Sequence, residues 1–248
     1  MTDQSSKYIP QFYITAPSPC PYVEGKMERK VFTSLAGPLS DQLHNQLVHD
    51  GFRRSQAIAY KPACEECSAC VSARIVVDKF EPSKSLRRIM ARNRDLHAEF
   101  TGPQATSEQY SILRPYLDAR HADGGMADMS VHDYAGMVEE TTVNTQIVEY
   151  RIGARLSAAP RHLVGTSLTD VLEDGLSMVY SFFEPGDRGR SLGSYMILDH
   201  INQARKRGLP YVYLGYWIKG CSKMDYKSRF QPLEVLKSGK WLPFSEFE

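Results

Sequence analysis

LSMVYSFFEPGDRGRSLGSYMILDHINQARKRGLPYVYLGYWI, residues 176–218, is the stretch whose reading decides the fold. Residues 176–183 are strand-like and end in a turn rich in Gly and Arg. Residues 192–207 then place Ile197, Ile201 and Ala204 on one helical face, with Gly208 to stop the helix. Residues 211–218 read as a buried strand. Strand, helix and parallel strand make a right-handed crossover unit. The helix starts with free backbone amides beside Arg188 and Arg190, and Arg190, Ser191 and Gly193 form an R-x-x-G pattern suited to a phosphate.

Upstream, residues 145–152 and 162–172 read as further strands, and Glu173-Asp174-Gly175 makes a good hairpin link to the quoted stretch. Helical segments are expected around 108–119 and 131–138. A composition change near residue 100 predicts two units, 1–100 and 101–248. In the first unit a helix follows Ser40 and ends at Gly51. GFRRSQAIAYKPAC reads as a strand entering a turn at Lys61-Pro62, ARIVVDKF as another strand, and residues 83–96 as a basic helix.

With 248 residues, 42% of them hydrophobic, the chain can bury a substantial core. No run approaches the roughly 18 apolar residues of a membrane span, and MTDQSSKYIP lacks signal-peptide architecture. A cytoplasmic protein with no membrane partner is the expectation. The net charge of +1 hides an asymmetry: residues 1–100 carry 14 Lys/Arg against 11 Asp/Glu, residues 101–184 carry 5 against 12, and residues 185–248 carry 11 against 6. Two basic ends around an acidic middle leave room for a basic face, or for ordinary surface variation.

Three segments carry candidate chemistry. Cys64, Cys67 and Cys70 stand at two successive CxxC spacings, with Cys20 a distant fourth. Such thiols are candidate ligands of a structural or regulatory zinc ion or iron–sulfur cluster, or reduced structural cysteines. The basic helix carries Arg87, Arg88, Arg92 and Arg94. The stretch YLGYWIKGCSKMDYKSRF adds Tyr213, Tyr216 and Trp217, whose rings suit core or cleft, and Lys223 and Lys227, which suit a solvated face or a ligand.

GFRRSQAIAYKPACEECSACVSAR, SLRRIMARNRDL, YSFFEPGDRGRSLGSYMIL and YLGYWIKGCSKMDYKSRFQPLE together resemble the bacterial aminoacyl-tRNA–protein transferases. The compact length and the SACVSAR segment favour the aspartate/glutamate leucyltransferase branch. The resemblance implies an α+β protein: a smaller cysteine-containing N-terminal domain packed on an acetyltransferase-like mixed sheet with flanking helices. It implies transfer of leucine from leucyl-tRNA to an N-terminal Asp or Glu, creating a signal for the proteolysis machinery of the N-degron pathway. Arginyl transfer, CoA-dependent N-acetylation and non-catalytic RNA binding are the competing readings.

Aminolysis of an activated ester needs no cofactor, only a positioned amine that has lost its proton. Asp170 is the candidate base. Arg54 and Arg74, then Lys223, are candidates for the acceptor's acidic side chain, because a guanidinium can hold a carboxylate through two hydrogen bonds. Tyr213, Tyr216 and Trp217 are assigned to the leucine or terminal-adenine pocket. Arg87, Arg88, Arg92, Arg94, Arg188, Arg190, Ser191, Gly193 and Lys227 are assigned to tRNA phosphates.

Overall fold

A computed structural model describes residues 10–120, 126–153, 161–186 and 189–247. Short strands β1 (Phe12–Ile14), β2 (Ser18–Pro19), β3 (Met27–Glu28) and β4 (Lys30–Ser34) precede helix α1 (Ser40–His49) and the hairpin strands β5 (Arg53–Ser55) and β6 (Ile58–Pro62). Strand β7 (Val71–Val76), helix α2 (Lys84–Arg92) and strand β8 (Leu96–Thr101) follow. Helices α3 (Ser107–Arg120) and α4 (Val131–Glu139) lead into β9 (Thr145–Ile152), β10 (His162–Val171) and β11 (Gly175–Phe183). The chain continues through α5 (Leu192–Lys206), β12 (Tyr211–Trp217), a 3-10 turn (Asp225–Arg229), β13 (Leu233–Lys237) and β14 (Lys240–Pro243).

The expected crossover forms: β11, α5 and β12 follow one another, and β11 and β12 are parallel. Around them lies an eight-stranded mixed sheet in the order β14-β13-β7-β12-β11-β10-β9-β8. Alternation along its strands sends successive side chains to opposite faces. Ile147, Leu163, Leu168 and Phe182 pack with α3 and α4, whereas Val148, Tyr150 and Val164 pack with Leu192 and Met196 of α5. Helix α2 also packs on α5. Strands β1, β4, β6 and β5 form a separate four-stranded sheet, which with α1 encloses a small core of Leu35, Leu47, Phe52, Ala59 and Val143. The fold class is the expected one: a smaller N-terminal layer on a large mixed sheet flanked by helices.

The boundary at residue 100 is not a break between two cores. Strand β7 lies inside the large sheet between β12 and β13, and β8 forms its edge beside β9. Strand pairing joins residues far apart in sequence, so a composition change could not reveal it. Three local expectations also shift. The chain reverses at Gln56 (φ 50°), before Lys61-Pro62. The basic helix ends at Arg92, and residues 96–101 are strand β8. Leu39, not Ser40, precedes α1, and the Ser40 hydroxyl bonds to the Thr142 carbonyl instead.

Candidate active site

The site begins where β11 and β12 part. They pair only over Gly175–Ser177 and Tyr211–Tyr213, although both strands continue beyond. At the parting point β12 bulges against β7 between Tyr213 and Gly215, and Gly215 adopts φ 71°, a left-handed conformation that only glycine enters without cost. Arg53 fills the opening. Its Nη2 donates to the Val179 carbonyl of β11 at 2.9 Å, and its guanidinium stands 5.7 Å from the Tyr216 ring centroid of β12.

Arg53 is aimed there by its neighbour. Adjacent residues of a strand point to opposite sides, so Arg54 of β5 turns inward. Its Nε and Nη2 donate to the two oxygens of Asp170 at 2.8 and 2.7 Å. His44 Nε2 and the Thr145 hydroxyl each lie 2.9 Å from the same carboxylate. The Arg54 and Asp170 side chains are fully buried. Burial alone would raise the Asp170 pKa, but the hydrogen bonds from His44 and Arg54 prevail and hold it below the ordinary value.

Asp170 is therefore not placed as a base. A base needs hydrogen-bonding reach to the proton it takes, and here both oxygens are committed to protein partners. Arg54 is likewise committed, which removes it from the role of acceptor clamp. Arg74 is not free either. It pairs with Glu234 at 2.8 Å, donates to the Tyr213 hydroxyl at 3.3 Å, and lies between the rings of Tyr211 and Trp241, 3.6 and 4.2 Å from their centroids. Lys223 is exposed.

The aromatic trio separates. Tyr213 donates to Asp174 at 2.9 Å, and Trp217 packs edge-on to Phe244, so both belong to the core. Tyr216 lines the larger of the two cavities described below. Lys227, assigned to phosphate, is buried and donates to the Tyr216 carbonyl. Burial, reinforced by the nearby charge of Arg53, lowers its pKa to about 7. Neither Arg53 nor Lys227 forms an ion pair with a carboxylate among the described residues.

Two cavities meet at this opening, with Arg53 and Tyr60 lining both. The larger, about 580 Å³, has Lys26, Lys30, Arg53, Tyr22 and Tyr216 in its wall, together with Cys20, Cys64, Cys67 and Cys70. Burial and the three neighbouring thiols push the Cys70 thiol up to about 11. The four cysteines thus line one cavity. Among the described residues, however, no three His, Cys, Asp or Glu side chains are arranged to hold a metal ion. Thiolates are donors that zinc or an iron–sulfur cluster takes. The smaller cavity, about 370 Å³, is walled by Met126, Met129, Met137, Leu168 and Val179 together with the polar residues 53–56 and Asp133.

The basic helix is joined to the start of α5. Arg92 donates to the Gly189 carbonyl, Asn93 Nδ2 donates to the Arg190 carbonyl at 2.8 Å, and Arg190 grips Asp95 through two bonds of 2.8 and 2.9 Å. Arg87, Arg88, Arg92 and Arg94 remain exposed. Ser191, at φ 54°, precedes the helix, and Gly193 in its first turn packs on the Phe183 ring. Arg188 lies outside the described residues. Sequence reasoning missed Arg53, Lys30 and Tyr60. The pair Arg53-Arg54 was visible, but which of the two faces inward depends on the partner strand.

The parted parallel strand pair thus brings two cavities together at one arginine, a candidate ligand-binding site. Comparison with known proteins gives the class. The family models for the N terminus and C terminus of arginine-tRNA-protein transferase match residues 18–88 and 108–237, and the chain belongs to this family. It is 60% identical to an aspartate/glutamate leucyltransferase of Afipia carboxidovorans over 96% of this chain and 95% of that one. It is 59% identical to an aspartate/glutamate leucyltransferase of Nitrobacter hamburgensis over 96% and 94%. Among solved structures, the crystal structure of FemX aligns with 77% of this chain and 65% of its own, at 8% identity and a TM-score of 0.49.

Proposed function

We infer that this protein is an aminoacyltransferase that moves leucine from leucyl-tRNA to the N-terminal Asp or Glu of acceptor proteins. The observation that carries the reading is identity near 60%, over almost the whole chain, to aspartate/glutamate leucyltransferases. The family description names arginine, but relatives this similar along their full length decide between the two donors in favour of leucine.

In the reaction the acceptor's α-amine attacks the leucyl ester carbonyl. The new C–N bond forms, the C–O bond to the tRNA ribose breaks, the amine loses a proton and the ribose hydroxyl gains one. An α-amine titrates near 8, so about one in ten is already neutral at pH 7. A dedicated base can therefore gain about tenfold at most from deprotonation of the free amine. Alignment of amine and ester can supply roughly 7–11 kcal/mol. On this reading the site works chiefly by positioning, and no step runs through a metal or other cofactor, because the ester is already activated.

Arg53, which has no carboxylate partner among the described residues, takes the acceptor's carboxylate in the larger cavity, where Lys30 is already paired with Glu28 at 2.7 Å. This role passes from Arg54 to its neighbour, and Asp170 becomes a positioning residue that holds the strand. The exposed arginines of α2, joined to the start of α5, receive the acceptor end of the tRNA. The product enters N-degron proteolysis. The described residues contain no helix long and apolar enough to cross a membrane, and a cytoplasmic location fits both tRNA and nascent protein partners.

The test is transfer of labelled leucine or arginine from the matching tRNA to peptides beginning with Asp, Glu, Lys or Arg. Leucine should reach only the acidic peptides. Transfer only to Lys or Arg peptides, or only from arginyl-tRNA, would overturn the reading.

A further inference from the structure

The smaller cavity has a composition that fits the aminoacyl donor. Met126, Met129, Met137, Leu168, Val179 and Tyr180 line it, and Arg53 and Tyr60 connect it to the larger cavity. Its volume, about 370 Å³, lies within the range of small-ligand sites. Methionine is flexible and polarizable, and it moulds itself to branched aliphatic groups. Residues 53–56 of the β5–β6 hairpin give the wall a polar share, and Asp133 and the Tyr180 hydroxyl add two further polar groups. Asp133 of α4 lies on the wall and is held by the Ser130 cap through one oxygen, at 2.9 Å from the amide and 2.7 Å from the hydroxyl. The Tyr180 hydroxyl is buried with no hydrogen-bond partner among the described residues. A buried hydroxyl left unpaired in the free protein costs stability and calls for an explanation.

A leucyl ester presents an isobutyl group, a free α-ammonium and a carbonyl oxygen. Those three features match an apolar wall, a carboxylate and an unpaired hydroxyl. With Asp133 on its α-ammonium, an arginyl ester would carry its guanidinium into a cavity whose wall already holds Arg53, and like charges repel. The acceptor's acidic side chain would meet Asp133 here, whereas the larger cavity adds Lys26 and Lys30, the latter paired with Glu28, to Arg53.

We propose that the cavity lined by Met129, Met137, Val179 and Tyr180 is the leucine pocket, with Asp133 facing the α-ammonium and the Tyr180 hydroxyl facing the ester. The pocket rests on the leucyl-transfer reading given above and assigns its donor specificity. It replaces the assignment of Tyr213 and Trp217, which lie in the core. Leucine in this pocket and the acceptor in the larger cavity meet at Arg53.

The test has two arms, both preceded by leucyl transfer with the unaltered protein. Failure there would sink the functional reading and not the pocket. In the first arm, transfer to one Asp-initiated peptide is compared for leucyl- and phenylalanyl-tRNA. Met129→Ala and Met137→Ala enlarge the pocket and should shift the ratio of kcat/KM toward phenylalanyl-tRNA by about tenfold or more, with the peptide KM unchanged. An unchanged ratio in variants that melt cooperatively would overturn the proposal.

The second arm needs no variant function. The protein carries ¹³C-methyl methionine and is titrated with 3′-leucylamino-3′-deoxyadenosine, an unreactive amide analogue of the leucyl-tRNA end. The Met129 and Met137 methyl signals, assigned from the variants, should shift, while those of Met90 and Met224 should not. Saturable binding that leaves Met129 and Met137 unmoved would place leucine elsewhere.

Discussion

Arg53 occupies the space that a side chain at Gly215 would need: a Cβ at Gly215 would lie 2.3 Å from the guanidinium carbon of Arg53. The relationship joins β5 of the small sheet to the bulged strand β12 of the large one, at the point where β12 leaves β11. Glycine is required twice here, for its φ of 71° and for the missing side chain.

Gly215→Ala should therefore displace Arg53 and lower kcat/KM for an Asp-initiated peptide by on the order of a hundredfold, comparable to loss of a charged hydrogen-bond partner of about 2–3 kcal/mol. The backbone strain itself costs about 1–2 kcal/mol of stability. Steady-state kinetics of Gly215→Ala, Arg53→Ala and the double variant check the linkage. The double variant should be no less active than Arg53→Ala, and additive losses would separate the two residues.

Asp170→Asn leaves Arg54 buried without its partner, a change that typically costs 3–5 kcal/mol. Thermal melting should fall by roughly 10 °C, at about 2–4 °C per kcal/mol for a chain of this size. Because the Asp170 pKa is depressed on folding, its stabilising contribution is complete above its ordinary value of 3.8 and is lost as the pH falls through the lower folded value. Melts of the two proteins should converge in strong acid. If Asp170 is a positioning residue, the pH–rate profile of the variant keeps its shape while activity falls, whereas loss of one ionisation from the profile would restore its role as a base.

Lys227 works in the opposite direction. Its pKa falls on folding from 10.5 to about 7, so between those values the unfolded chain holds a proton that the folded chain has released. Stability should rise with pH across that window, with the full penalty present below about 7. Lys227→Met removes the penalty. Its melting temperature should exceed the parent's at pH 6, by about 2–4 °C for each kcal/mol regained, and the difference should shrink toward pH 10. A difference independent of pH would show that the lysine is not held neutral.

The exposed arginines of α2 make a separate prediction for tRNA. Removing one arginine–phosphate pairing should reduce the slope of log affinity against log salt by about 0.7–0.9. Arg88→Glu should weaken leucyl-tRNA binding and flatten that slope, with little change in the KM of a short acceptor peptide. Fluorescence anisotropy at several salt concentrations measures it, and an unaltered slope would take α2 out of the tRNA surface.

Much of the fold was legible because its signals are local. Residues 192–207 repeat apolar positions at helical spacing, and β9, β10 and β11 alternate or run apolar between turn residues. Strands β8, β13 and β14 were not legible, since short strands of mixed polarity are decided by the partner they pair with. The site divides in the same way. The cysteines line one cavity, including Cys20, which no spacing ties to the other three, whereas Arg54 and Asp170, candidates for a clamp and a base, satisfy each other.

The sequence by itself determined the family and the crossover unit: periodicity, turn residues and long combined motifs are all properties of the chain taken in order. Only the tertiary structure decided which of two adjacent arginines meets a substrate. A strand sends neighbouring side chains to opposite sides, and which side is buried depends on Asp170, 116 residues away in sequence. Placing Arg54 against that carboxylate leaves Arg53 at the opening, against a glycine that leaves it room.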